Sequence, residues 1–124
     1  MTTSEPRVAV RRVYEPRKDT DGARVLVDRV WPRGLRKDDA DIDEWCKDVA
    51  PSTELRKWYG HRPERFAEFA RRYRAELHDA ERADAMAHVH DLARSGPLCL
   101  LTATKDPGHS QAAVLAELLR ERLS

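Results

Sequence analysis

Apolar residues recur along this chain at two spacings. Near the start they alternate. In RVAVRRVY, residues 7–14, Val8 and Val10 fall on one face, which is the period of a strand. Pro16 and KDTDG break that pattern, and Asp21-Gly22 signals a turn. ARVLVDRVW, residues 23–31, is denser in β-branched residues and stops at Pro32. A near-continuous apolar run of this kind predicts a strand covered on both faces. PRGLRKDDAD, around Gly34, reads as a polar loop. IDEWCKDVAP, anchored by Ile42, Trp45 and Val49, fits a short strand or an extended segment.

Beyond residue 50 the spacing becomes helical. Ser52 can cap a helix whose first turn holds Glu54 and which runs through Leu55 and Trp58 to Gly60. Pro63 suits the first turn of the next, where Phe66, Phe69, Ala70, Tyr73 and Leu77 share a face and Arg and Glu fill the other. A third helix, over residues 80–94, carries Met86, Val89 and Leu92. Ser95-Gly96-Pro97 predicts its end, with Gly96 as a left-handed cap. LCLLTAT then predicts a buried strand, KDPGH a loop, and SQAAVLAELLRERL a last helix packing Val114, Leu115, Leu118 and Leu119. The order is strand, strand, a possible third strand, helices, strand, helix. It predicts one α/β domain over residues 1–124, with residues 1–6 flexible and a small, mostly parallel central sheet flanked by helices.

Composition narrows the function classes. The chain has 124 residues, with 40% hydrophobic and 36% charged; 23 basic and 22 acidic residues give a formal net charge of +1. That balance argues against a general binder of nucleic acid or anionic membrane. Local asymmetry keeps an Arg-rich interaction surface as the alternative. No apolar run approaches the roughly 20 residues of a membrane span, and MTTSEPRVAV lacks a signal-peptide core. Cys46 and Cys99 stand far apart in apolar contexts. They are expected to be buried reduced thiols in a cytoplasmic protein.

In parallel sheets, ligands bind beyond the carboxyl ends of the strands. Two groups of polar residues fall there. One lies at or beyond the carboxyl end of the second strand: Asp28, Arg29, Arg33 and Arg36. A lone buried charge is unfavourable, so each needs a partner. Arg29 and Arg33 could clamp an anion, with Asp28 orienting a group or acting as base. An internal ion-pair network is the competing explanation. The other group surrounds the start of the last helix: Thr102, Thr104, Lys105, His109 and Ser110. Free N–H groups at a helix start attract anions, and simple capping by Asp106 or Ser110 would use the same geometry. Arg12 could add a guanidinium from the first strand. Histidine is the residue type suited to general acid or base work near neutral pH, which makes His109 the candidate. His88 and His90 lie on different helix faces. No His, Cys and carboxylate set has zinc spacing, and no cofactor motif is present.

The segments RVYEPRKDTDGARVLVDRVWPRGLRK, DEWCKDVAPSTELRKWYGH and FAEFARRYRAEL resemble the YeaO-like family of small bacterial proteins, part of domain of unknown function four-eight-eight. The resemblance runs from about residue 12 to 118 and implies a cytoplasmic single-domain α/β protein of uncharacterised function. The wider group has Asp-x-Arg near the end of an early strand and a Cys-His-Arg triplet opening the last helix. Here Asp28 is followed directly by Arg29, and the helix opens GHSQAAVL. Of the triplet only His109 remains, which puts a thiol-based mechanism in doubt.

Together these features predict a small anionic ligand, phosphate- or carboxylate-bearing, held at the strand ends by Arg12, Arg29, Arg33, Arg36, Thr102, Thr104, Lys105 and Ser110. Catalysis there would fall to His109 and Asp28.

Overall fold

A computed structural model describes residues 8–123. The expected flexible residues 1–6, and Arg7, lie outside them. Four strands form one parallel sheet: β1 (Val8–Arg12), β2 (Ala23–Leu26), β3 (Glu44–Trp45) and β4 (Leu98–Thr102), in the spatial order β1-β4-β2-β3. Four helices are α1 (Thr53–Tyr59), α2 (Phe66–Leu77), α3 (Ala80–Ser95) and α4 (Gln111–Leu123). The α/β class and the central sheet are as the sequence predicts.

The two faces of the sheet are covered differently. Val8, Val25, Val27, Leu98 and Leu100 face the helices and join Leu55, Phe69, Tyr73, Val89, Leu115 and Leu119 in the main core. Leu26, Cys99 and Leu101 face the other way and are covered by Trp31, Leu35 and Ile42 of the β2–β3 loop and by Trp45 of β3. Trp31 and Trp45 meet edge to face at 5.4 Å. Their indole N–H groups donate to the carbonyls of Leu35 and Asp28, each at 2.7 Å. These bonds fix the long β2–β3 loop over a sheet face that has no helix.

On that face the sheet buries a charge that periodicity concealed. Arg24 in β2 is fully buried. Its guanidinium donates to the Asp21 carboxylate at 2.8 Å, the Asp41 carbonyl at 2.7 Å and the Glu15 carbonyl at 2.8 Å. Asp21 is also buried and accepts from Arg11 and from the Lys18 backbone N–H, both at 3.0 Å. Burial acts to raise the Asp21 pKa, but the Lys18 N–H and the two guanidiniums outweigh it, so the carboxyl stays below its usual value. Each of the three guanidinium nitrogens of the buried arginine therefore tethers a loop crossing the back of the sheet.

Three details depart from the sequence reading. The predicted second strand ends early, at Leu26 instead of Trp31. Its partner β3 is two residues long, and after Val27 donates to the Leu101 carbonyl at 3.1 Å the chain leaves the sheet. Asp28 and Arg29 thus lie beyond the strand. Gly96 is not a left-handed cap, because its φ of 166° is extended backbone. Gly22 is left-handed, with φ +66°, and a Cβ there would meet the Pro97 carbonyl oxygen at 2.1 Å. Only glycine lets the β2 entry pass this close to the β4 entry.

Arg24→Ala should destabilise the protein by roughly 3–5 kcal/mol, because it removes the buried partner of Asp21. Arg29→Ala, which loses only an exposed pair with Asp48 at 3.2 Å, should change stability by less than about 1 kcal/mol. Urea denaturation of both variants measures the contrast. Equal losses would show that the charges after β2 are as structural as the buried one.

Candidate functional site

The carboxyl ends of β2 and β4 open beside α4, as a parallel sheet requires. Asp28 is the first side chain past this edge. Its Oδ1 accepts from the Thr102 hydroxyl at 2.7 Å and the Gln111 amide at 2.6 Å. Its Oδ2 accepts from the Ala103 backbone N–H at 2.8 Å. The carboxylate thus ties the exit of β2 to the exit of β4 and to the first residue of α4. Strand alternation would have grouped Asp28 with Leu26. Because the chain has left the sheet, its carboxylate instead meets residues on the helix-covered side. Burial pushes the Asp28 pKa up; the three hydrogen bonds and the nearby His61 oppose this without cancelling it.

Beside this carboxylate lies an open cleft of about 800 Å³. From the β4–α4 connection, Thr104, Lys105, Asp106 and His109 face it. From α1 and the turn after it come Arg56, Lys57, Tyr59 and His61. Asp28 and Arg29 complete it from the β2 side.

Local geometry fixes several of these groups. The His109 ring bonds Asp106 Oδ2 through Nδ1 at 2.6 Å and meets the edge of Phe66 at 5.1 Å. The carboxylate oriented on His109 is therefore Asp106, not Asp28. Tyr59 donates its hydroxyl to the His109 carbonyl at 2.6 Å. Burial, Asp106 and Glu64 raise the Tyr59 pKa, keeping the hydroxyl a donor. His61 follows the left-handed Gly60 and is itself left-handed, at φ 56°. That conformation is unfavourable for a residue with a Cβ. It brings the ring nitrogen to 3.4 Å from the Thr104 hydroxyl.

Of the residues singled out in the sequence, Asp28, Arg29, Thr102, Thr104, Lys105, His109 and Ser110 border this one cleft. Within it, Thr102 is committed to Asp28. Ser110 is buried and caps α4, accepting from the Ala113 N–H at 3.3 Å while its hydroxyl donates to the Pro107 carbonyl at 2.6 Å. Arg12 lies outside the lining and braces the cleft from behind, donating to the carbonyls of Thr104 at 3.1 Å and Ala103 at 3.3 Å. Arg33 and Arg36 are exposed and do not line it. Periodicity missed Arg56, Lys57, His61 and Gln111. The first two look like the solvated face of a short helix. The Gly60-His61 pair was the available signal, since a glycine at a helix end can carry its neighbour into an unusual turn.

Neither cysteine is placed for nucleophilic work. Cys46 and Cys99 are buried, free and on opposite sides of the sheet. Burial pushes each thiol up to about 11, far from the thiolate that reacts. Among the described residues, no group of three or more His, Cys, Asp or Glu is placed to hold a metal ion, and no helix is long and apolar enough to cross a membrane.

A small parallel α/β fold with this cleft belongs to a known but uncharacterised group. Residues 7–124 match the family model DUF488-N3i, described as the inactive DUF488-N3 subclade. The chain belongs to that family. It is 55% identical over 118 residues to the uncharacterised protein Rv3073c of Mycobacterium tuberculosis, covering 95% of this chain and 98% of that protein. It is 42% identical over 113 residues to the uncharacterised protein YeaO of Escherichia coli, covering 91% and 96%. No solved structure matches the chain.

Asp28→Ala leaves the Ala103 N–H and the Gln111 amide without their acceptor and should cost about 1–3 kcal/mol of stability. The pH dependence has a definite sign. Because the folded carboxyl holds its proton more tightly than an ordinary aspartate, which titrates at 3.8, its titration makes stability fall as pH rises from there through the raised folded pKa. The stability difference between wild type and Asp28→Asn, followed by denaturation across that window, should shrink as pH rises. A difference that grows with pH would show a carboxyl stabilised in its charged form.

Proposed function

We propose that the cleft binds a small anionic ligand, phosphate- or carboxylate-bearing, and holds it without turnover. The observation that carries this reading is the charge facing the cleft. Arg56, Lys57 and Lys105 border it, with Arg29 at its rim paired to Asp48, against two lining carboxylates, and both of these are already engaged, Asp28 by three donors and Asp106 by His109. A concave site with surplus cations and low-dielectric walls attracts anions. Arg29, Thr104, Lys105 and His109 are the proposed contacts, joined by Arg56, Lys57 and His61.

Two features favour binding over chemistry. The matched family is described as inactive, and the two thiols are buried and protonated. His109, already bonded to Asp106, then serves as a hydrogen-bonding group and not as an acid or base. Two free buried cysteines suit a reducing compartment, so the proposed setting is the cytoplasm, with the chain acting as one domain.

Calorimetric titration with inorganic pyrophosphate tests this. Saturable binding near one ligand per chain is expected. Lys57→Glu with Lys105→Glu should weaken it by about tenfold or more, whereas Arg33→Ala with Arg36→Ala should leave it unchanged. No saturable binding, or equal effects of the two double variants, would contradict the reading. Tighter binding to long nucleic acid, falling steeply with salt, would favour an interaction module instead.

A further inference from the structure

A phosphate or carboxylate group alone would leave most of the cleft unused. At about 800 Å³ it lies within the range of roughly 300–1,000 Å³ found for sites that take whole small molecules. Its cations sit where the protein meets solvent: Arg29, Lys57 and Lys105 are all exposed. Other parts of the lining are of another kind. Val30, an apolar side chain 67% exposed, borders the cleft, as do the exposed Pro63 and the half-buried Ala103. Exposed apolar lining of this sort gains from covering by an apolar group and offers an anion nothing.

The half-buried carboxylate of Asp28 adds a third feature. A carboxylate oxygen has about two acceptor sites. Oδ1 uses both, on Thr102 and Gln111, whereas Oδ2 receives only the Ala103 N–H. One acceptor site on Oδ2 is left beside the cleft. An inorganic anion would be repelled there, while an N–H or O–H of a ligand would be bound.

We infer that the cleft takes an amphipathic anion: an aromatic body bearing a phosphate or carboxylate at one end and an amino, amide or hydroxyl donor at the other. The acidic group meets the cations at the rim, the ring covers the apolar lining at Val30, Pro63 and Ala103, and the donor bonds to Asp28 Oδ2. This rests on the anion-binding reading above and narrows it to one chemical class.

Titrating inorganic phosphate, phenyl phosphate and 4-aminophenyl phosphate into the unmodified protein, followed by amide NMR, separates the two levels. Phenyl phosphate should bind about tenfold tighter than inorganic phosphate or better, and the amino compound about threefold tighter again. Only the amino compound should strongly shift the Ala103 N–H and the Gln111 side-chain amide, which report on Asp28. Asp28→Asn should bring the two phenyl compounds to the same affinity. Should that variant not fold, the shifts in the unmodified protein decide. Equal affinity for all three ligands, or an amino increment without those shifts, overturns this inference and leaves the anion site standing. No binding of any of them overturns both.

Discussion

The Asp28 carboxylate joins three elements that nothing in sequence order brings together. A hydroxyl and a backbone N–H at the end of β4, and an amide at the start of α4, all converge on it, while its own carbonyl accepts from Trp45. Each of these groups would otherwise face a partly desolvated strand edge unpaired. The bonds hold the β2 and β4 exits side by side and fix where α4 begins. The positions of the cleft residues beside them follow from that. Lys105 and His109 sit on the connection clamped at both ends by the Asp28 contacts, and Arg29 is the next residue along the chain.

A second charged cluster does the corresponding work behind the sheet. Arg24 and Asp21 are buried where one face of the sheet has loops instead of helices. A buried pair is weak evidence of net stability, since desolvation opposes it. Its contribution here is definition: three donors of one guanidinium select the positions of the loops at Glu15, Asp21 and Asp41. The two clusters divide the charges of the strand region into a structural set and a set at the cleft. Arg33 and Arg36 belong to neither.

The helices were legible because their signals are local. Ser52 caps α1, accepting from the Leu55 N–H, and the apolar stripe of α2 buries Phe69, Tyr73 and Leu77. The end of β2 was not legible, because it depends on β3 being only two residues long, a fact of pairing and not of propensity. The apolar run therefore placed Asp28 and Arg29 inside a strand, and Arg24, within the true strand, passed as an ordinary polar position. At the site, the rule of carboxyl strand ends located the right edge of the sheet. It could not distinguish Thr102 and Ser110, whose hydroxyls are taken by Asp28 and by the cap of α4, from Thr104 and Lys105, which face the cleft. Nor could it find Arg56, Lys57 and His61, which reach the cleft only because α1 packs beside β4's exit.

The proposed ligand site at this edge rests on cations left over after the cleft's own carboxylates are satisfied. Crystals of the protein soaked in tungstate, a heavy divalent oxyanion, test that most directly through anomalous scattering. An anomalous peak is expected in the cleft within hydrogen-bonding distance of at least two of Arg29, Arg56, Lys57 and Lys105. Peaks confined to Arg33, Arg36 or other surface positions, with none in the cleft, would contradict it.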